Sequence, residues 1–309
     1  MSSGIRVLLT GVLGQVGGDL LPLLKPFCEV IPTDLPELDL TDTDAIRRFV
    51  DDVKPHWIIN PAAFTAVDKS ESEPGLAYAI NAGAPRALGR LAAEMGIPII
   101  HFSTDYVYNG AGTRPWVETD PTGPLGVYGA SKLAGDEALA ASGAAHLIFR
   151  TSWVYSSSGK NFLLTILRLA QEKEELRIVN DQHGAPTWSR DLARMIVHVM
   201  RWILERSAAT DSSVQDTVRA VQGVYHAVNS GETTWFGFAE EFLRCFSTAR
   251  PEVKLARLVP VPSSAYPTPA RRPSNSRLDC SRLNEVFGFT MPAWQHSAAA
   301  VVSEVLKSV

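Results

Sequence analysis

Short apolar runs recur along the first half of the chain, with helix-spaced stretches between them. The runs at 6–10, 29–34, 57–60, 98–102 and 146–150 read as strands. That at 98–102 is a continuous apolar run, as strands buried on both faces are. Between them, Leu20, Leu21, Leu23 and Leu24 mark one helix, and Thr41-Asp42-Thr43-Asp44 is a capping start for a second that runs through Val53. Ser70-x-x-Glu73 followed by Pro74 starts a long helix to about residue 95, and 128–141 reads as another. Strand and helix in alternation predict a doubly wound parallel sheet.

Beyond residue 150 the alternation loosens. Helices are expected at 161–171, 189–204, 234–246 and 297–307, and a strand at 224–228. Residues 205–222 are small and polar, which predicts a mobile surface loop. The proline-rich stretch 259–282 should run as extended, irregular chain over a surface.

Composition narrows the class. Of 309 residues, 45% are hydrophobic and 20% charged, with a net charge of −4, which offers nothing to nucleic acid or an anionic membrane. The three cysteines are odd in number and far apart, with no CxxC pair, which suits reduced thiols better than disulfides or a zinc site. The apolar run at 5–9 is too short for a signal segment or a membrane span, so a cytoplasmic protein is expected.

Chemistry enters at three places. Gly11-Val12-Leu13-Gly14-Gln15-Val16-Gly17 follows a strand and opens a helix, the context in which a glycine turn holds a phosphate at a helix N-terminus. Asp34 ends the next strand about twenty residues on, where a carboxylate reaches an adenosine ribose. Asp39 and Leu40 can border an adenine, and the small Ala62 and Ala63 suit backbone passing close to a cofactor. Ser103-Thr104-Asp105 leaves the fourth strand at the carboxyl end of the sheet, where such sheets bind ligands. Tyr128 and Lys132, four apart on a helix, lie one turn from each other, and an ammonium there favours the phenolate. His101, inside an apolar strand, reads as a satisfied structural histidine rather than a catalytic base.

Longer motifs carry a resemblance over nearly the whole chain. They include Thr65-Ala66-Val67-Asp68-Lys69, Ser103-Thr104-Asp105-Tyr106-Val107, Arg150-Thr151-Ser152-Trp153-Val154-Tyr155, Asn180-Asp181-Gln182 with Gly184-Ala185-Pro186-Thr187, and the run from Pro262 to Ser276. With the glycine turn and the Tyr128/Lys132 pair, these resemble the dTDP-4-dehydrorhamnose reductase family of extended short-chain dehydrogenases/reductases. The resemblance implies a Rossmann-type sheet with a smaller C-terminal α/β substrate domain. The first unit is expected at 1–152, with 188–228 returning to it, and the second at 153–187 and 229–309. It implies NAD(P)H-dependent reduction of the C4 carbonyl of dTDP-4-dehydro-L-rhamnose to dTDP-L-rhamnose, a nucleotide sugar for cell-surface polysaccharide.

Thr104, Tyr128 and Lys132 would be catalytic. Gly11, Gly14, Gln15, Val16, Gly17, Asp34, Asp39, Leu40, Ala62, Ala63, Phe64 and Thr65 would hold the cofactor together with Tyr128 and Lys132. Thr104, Asp105, Trp153, Arg272 and Asn275 would meet the dTDP-sugar. Asp34 followed by Leu35 offers no arginine to a 2′-phosphate, which favours NADH, whereas the family resemblance allows NADPH or NADH. Some members of the family dimerise through Mg²⁺ held by glutamates. Here Arg190 stands where one such acid is expected, with Asp19 and Glu304 as the other carboxylates, so no metal and a monomer or metal-independent homodimer are expected.

Related chemistries fit less well. A sugar-nucleotide dehydratase places Asp-Glu after the active-site Thr, but Tyr106 follows Asp105 here. An epimerase would lack the C-terminal matches. The non-catalytic β subunit of methionine adenosyltransferase resembles the same family, and the retained Thr104, Tyr128 and Lys132 speak for chemistry instead.

Overall fold

The computed structural model describes residues 4–307. In its first half, β1 (Arg6–Thr10), α1 (Gln15–Leu24), β2 (Glu29–Thr33), α2 (Thr43–Val53) and β3 (Trp57–Asn60) alternate as expected. Then come α3 (Val67–Ser72), α4 (Pro74–Tyr78), α5 (Ala84–Met95), β4 (Ile99–Thr104), α6 (Val127–Ala140) and β5 (His146–Thr151). Next are the short β6 (Val154–Tyr155), α7 (Phe162–Glu172), β7 (Glu175–Val179), β8 (His183–Gly184), β9 (Thr187–Trp188), α8 (Ser189–Thr210), α9 (Val214–Ala220) and β10 (Gly223–His226). The chain closes with β11 (Thr233–Thr234), α10 (Trp235–Ala249), β12 (Arg257–Val261), α11 (Ser281–Phe287) and α12 (Trp294–Val305).

Six parallel strands form the central sheet in the order β10-β5-β4-β3-β1-β2. The α/β doubly wound expectation therefore holds. The strand order reverses between β1 and β3, which opens a crevice at their carboxyl ends. Successive residues of each buried strand serve opposite faces. Val7, Leu9, Ile59, Ile100 and Leu147 pack with α1 and α8, while Leu8, Ile58, Ile99 and Ile148 pack with α2, α5 and α6. That is why the strands read as continuous apolar runs.

A second core gathers Leu163, Ile166 and Leu167 of α7, Phe238, Phe242 and Phe246 of α10, and Val301 and Val302 of α12. Here β7 and β12 pair in parallel as a separate ribbon. Leu283, Phe287 and Met291, placed by sequence in the second unit, instead pack on the first core beside α8.

Three expectations change. The stretch at 205–222 is helical rather than a loop: α8 continues to Thr210, and Ser213 caps α9 by accepting the N–H of Asp216 at 3.0 Å. Ser207, Thr217 and Val218 turn inward there, so the polar composition marked only the outer face. The helix expected from 70 to 95 is interrupted by Glu73 and Pro74, then by a π-helical turn at Ala79–Gly83. The helix expected at 297–307 begins three residues earlier, at Trp294. The stretch at 259–282 does run extended over most of its length, bridging Leu278 to Trp116 and Asn275 to His183.

Candidate active site

The glycine turn between β1 and α1 is built so tightly that side chains are excluded. Gly11 has φ +60, and a Cβ there would stand 2.8 Å from Ala62 Cα; a Cβ on Gly17 would stand 2.2 Å from the Gly11 carbonyl oxygen. Gly14 is the N-cap of α1 and supplies no side-chain bond to it, so the first-turn amides keep their donors for an anion.

A cavity of about 410 Å³ opens onto this turn. Gly11, Gly14, Gln15, Val16, Gly17, Asp34, Asp39, Leu40, Ala62, Ala63 and Thr65 line it, and Tyr128 and Lys132 close its inner end. Phe64 lies behind this wall, its N–H and carbonyl both taken by the Asn81 amide at 2.8 and 3.1 Å. Asp34 accepts the N–H of Leu13 and that of Leu35, each at 2.9 Å. Asp39 is held below the usual carboxylate range by the backbone N–H and hydroxyl of Thr41. Gln15 reaches the other lobe, accepting from Asn161 at the N-terminus of α7 at 3.0 Å.

Two close approaches place α6. A Cβ on Gly129 would stand 2.1 Å from the Tyr106 carbonyl oxygen, and one on Gly135 would stand 2.0 Å from that of Asn81. Asn81, inside the π turn, also donates to Ser131 at 3.0 Å, and Ser131 donates to the Tyr128 carbonyl at 2.8 Å. π turns recur at functional sites, but nothing in the local spacing signals this one.

Tyr128 packs edge-on against Tyr106 with ring centroids 5.5 Å apart. Burial pushes its phenol above its ordinary pKa, and the neighbouring Thr104 hydroxyl pulls it partly back down. The expectation that Lys132 draws Tyr128 toward phenolate is not met. Lys132 Nζ instead donates to the Phe102 carbonyl at 2.6 Å and lies 3.4 Å from His101 Nε2. Burial lowers the lysine to about 8, opposed by Asp136 one turn on, a spacing that marks Asp136 as a neighbour in the sequence itself. Asp136 in turn pairs with Arg150 at 3.2 Å and accepts from Ser103 at 2.8 Å, all of them buried.

Thr104 donates to Asp105 at 3.0 Å. Burial raises Asp105 to about 7. Neither Asp105 Oδ2 nor the Ser276 hydroxyl makes a hydrogen bond of good geometry. Even so, the serine is near enough to favour the ionised carboxylate.

Trp153, held at φ +48, stacks on Trp235 at 3.9 Å. Trp235 and Arg272 line a second cavity of about 630 Å³ between the lobes' loops, and Arg272 pairs with Asp68 at 2.8 Å. Trp235, which the sequence alone did not single out, belongs to this wall. Asn275 corrects an expectation. It is buried, with its amide donating to the Ala111 and Arg114 carbonyls, so it braces two loops rather than facing either cavity.

Among the described residues no cluster of three or more His, Cys, Asp or Glu is arranged for a metal. Arg190 occupies the place between carboxylates, bonded to both Asp19 and Glu304. No helix among the described residues is long and apolar enough to cross a membrane.

The family model for the RmlD substrate binding domain matches residues 5–307. A dTDP-4-dehydrorhamnose reductase of Burkholderia thailandensis is 42% identical over 305 residues, covering 98% of this chain and 99% of that protein. The chain belongs to the dTDP-4-dehydrorhamnose reductase family. The family's fold extends over its full length: a Clostridium acetobutylicum dTDP-4-dehydrorhamnose reductase aligns with TM-score 0.87 at 33% identity, over 98% of this chain and 100% of that one. The Bacillus anthracis family member, solved in complex with NADP, aligns with TM-score 0.84 at 31% identity, over 99% and 100%.

Proposed function

We propose that this protein reduces the C4 carbonyl of dTDP-4-dehydro-L-rhamnose to dTDP-L-rhamnose with NADPH or NADH. One observation carries the reading: Tyr128 and Lys132 close the cavity that the glycine turn opens, with Thr104 beside the tyrosine. A glycine cradle that any Cβ would fill fits a dinucleotide pyrophosphate, so the turn and the α1 amides hold that group. Asp34 holds the adenosine ribose, Asp39 and Leu40 border the adenine, and Ala62, Ala63 and Thr65 line the rest. When bound, the nicotinamide supplies the hydride.

The protein's own groups manage the oxygen. Turned from Asp105 to the substrate, the Thr104 hydroxyl polarises the carbonyl, and Tyr128 Oη gives its proton to the alkoxide oxygen as charge develops there. The buried phenol is protonated at neutral pH and so holds the proton that the alkoxide takes. Lys132 holds the nicotinamide ribose. Thr104 and Asp105 are buried beside the tyrosine, which limits water there.

The dTDP end lies toward the Trp153–Trp235 stack and Arg272, whose guanidinium suits a diphosphate bidentately. The sheet unit thus serves cofactor and the α7–α10–α12 unit serves substrate. The residues around Arg190 support a monomer or metal-independent dimer. The test is NAD(P)H oxidation with dTDP-4-dehydrorhamnose run beside UDP- and GDP-linked ketosugars. Turnover restricted to the dTDP substrate is expected, and equal rates with all three would refute the thymidine assignment.

A further inference from the structure

His101 lies wholly buried in β4, yet both of its ring nitrogens meet polar partners on other elements. Thr10, the last residue of β1, donates its hydroxyl to Asn60 Oδ1 at 2.6 Å. Asn60, the last residue of β3, sets its Nδ2 3.2 Å from His101 Nδ1. His101 Nε2 lies 3.4 Å from Lys132 Nζ. The result is a buried polar chain crossing β1, β3 and β4 and ending on the lysine that closes the cavity. Thr10 lines that same cavity at its glycine end.

The donors and acceptors along this chain are not independent. Burial first, and then the charge of Lys132, push His101 well below its ordinary range, so the imidazole is neutral and carries one N–H. When Asn60 Nδ2 donates to Nδ1, the hydrogen sits on Nε2 and points at Lys132, which then needs a lone pair to receive it. An ammonium at Lys132 needs the reverse: Nε2 accepts, Nδ1–H donates to the Asn60 oxygen, and Asn60 Nδ2 turns to the Thr10 hydroxyl. The first direction pairs every member, the second turns the Thr10 hydroxyl into an acceptor, and each matches one proton state of the lysine.

We infer that His101 is a positioning residue for Lys132, and that the Thr10–Asn60–His101 chain reverses its hydrogen-bond direction as Lys132 gains or loses its proton. The chain stabilises the ammonium by an accepting nitrogen that no apolar strand residue would supply. The other charged or titratable groups around Lys132 are Asp136 and Tyr128 on α6, Arg150 on β5 and Asp105 at the end of β4. Only Asp136 is a further direct influence on its charge. The inference rests on the proposed reductase role of Lys132.

Two readouts test it. In uniformly active protein with ¹⁵N-labelled histidine, the His101 ring is expected to pass from the Nδ1–H to the Nε2–H tautomer as pH rises through the Lys132 ionisation near about 8. No such change is expected in Lys132→Met, and His101→Gln assigns the resonance. In turnover, His101→Leu should move the alkaline fall of kcat to lower pH by about one unit, because an accepting nitrogen favours the charged amine more than a donor favours the neutral one. His101→Gln, whose amide oxygen accepts, should restore it. A His101 tautomer that is constant from pH 6 to 10, or that changes equally in Lys132→Met, overturns the inference, as does an alkaline limb unmoved in a folded His101→Leu. The resonance test reads wild-type protein, so it stands if His101→Leu fails to fold. Absence of ketosugar turnover in the wild type would instead strike the proposed function.

Discussion

Asp34 Oδ2 accepts the backbone N–H of Leu13 at 2.9 Å, so the carboxylate ending β2 is fastened over the glycine turn that ends β1. Its other oxygen is held by Leu35 N–H, and among the described residues no lysine or arginine lines the cavity at this end. A carboxylate there accepts ribose hydroxyls and repels a 2′-phosphate.

NADH is therefore expected to outperform NADPH in kcat/KM, by roughly tenfold, the value of about 1.4 kcal/mol of charge repulsion. Steady-state rates with each cofactor decide this. A preference for NADPH would mean that Asp34 turns away from the ribose.

Gly17 is the tightest point of the cradle. Gly17→Ala places a Cβ 2.2 Å from the Gly11 carbonyl, against 3.2 Å for Gly14→Ala. The first change should cost about 2 kcal/mol or more in stability and most of the cofactor affinity, as overpacking against rigid backbone does. The second should be milder. Thermal melts and cofactor titration of both variants check the ranking, and a Gly17→Ala protein as stable as wild type would contradict it.

Asp105 makes stability fall with pH. Burial raises its pKa from 3.8 to about 7, so the folded state binds the proton more tightly than the unfolded state does. That contribution is full below about pH 4 and is lost as pH rises through about 7. Its size is roughly 1–4 kcal/mol, the upper end being the full shift at 1.36 kcal/mol per unit. Asp105→Asn should flatten the pH dependence of urea stability between pH 5 and 8. An unchanged slope would show that the carboxylate is not desolvated as described.

Arg190 bonded to both Asp19 and Glu304 places a guanidinium where a cation between carboxylates would sit. Sedimentation is expected to be identical with and without EDTA. A dimer that dissociates on chelation and returns with Mg²⁺ would contradict this.

Much of the scaffold was legible in the sequence because buried parallel strands write themselves as apolar runs, and a glycine turn has few alternatives between strand and helix. The sequence showed less where tertiary contact decides. Residues 214–220 look like a loop because their outer face is polar, and only Thr217 and Val218 reveal a helix. His101 reads as inert in an apolar strand, since its neighbours Asn60 and Lys132 come from distant elements. Asn275 matches a family motif but spends its amide on two backbone carbonyls. The Tyr128/Lys132 spacing put both on one face, yet did not show that the lysine turns to Phe102.

The central claim is that Tyr128 delivers the proton to the C4 oxygen. Tyr128→Phe keeps the ring against Tyr106 and removes only the hydroxyl. The decisive measurement is kcat for NADH oxidation with dTDP-4-dehydrorhamnose in wild type and Tyr128→Phe, with melting temperature and NADH affinity measured alongside. A fall in kcat of roughly 10²–10⁴-fold is expected, the range for loss of a general acid, with melting and affinity nearly unchanged. A Tyr128→Phe enzyme that retains near-wild-type kcat would contradict the account.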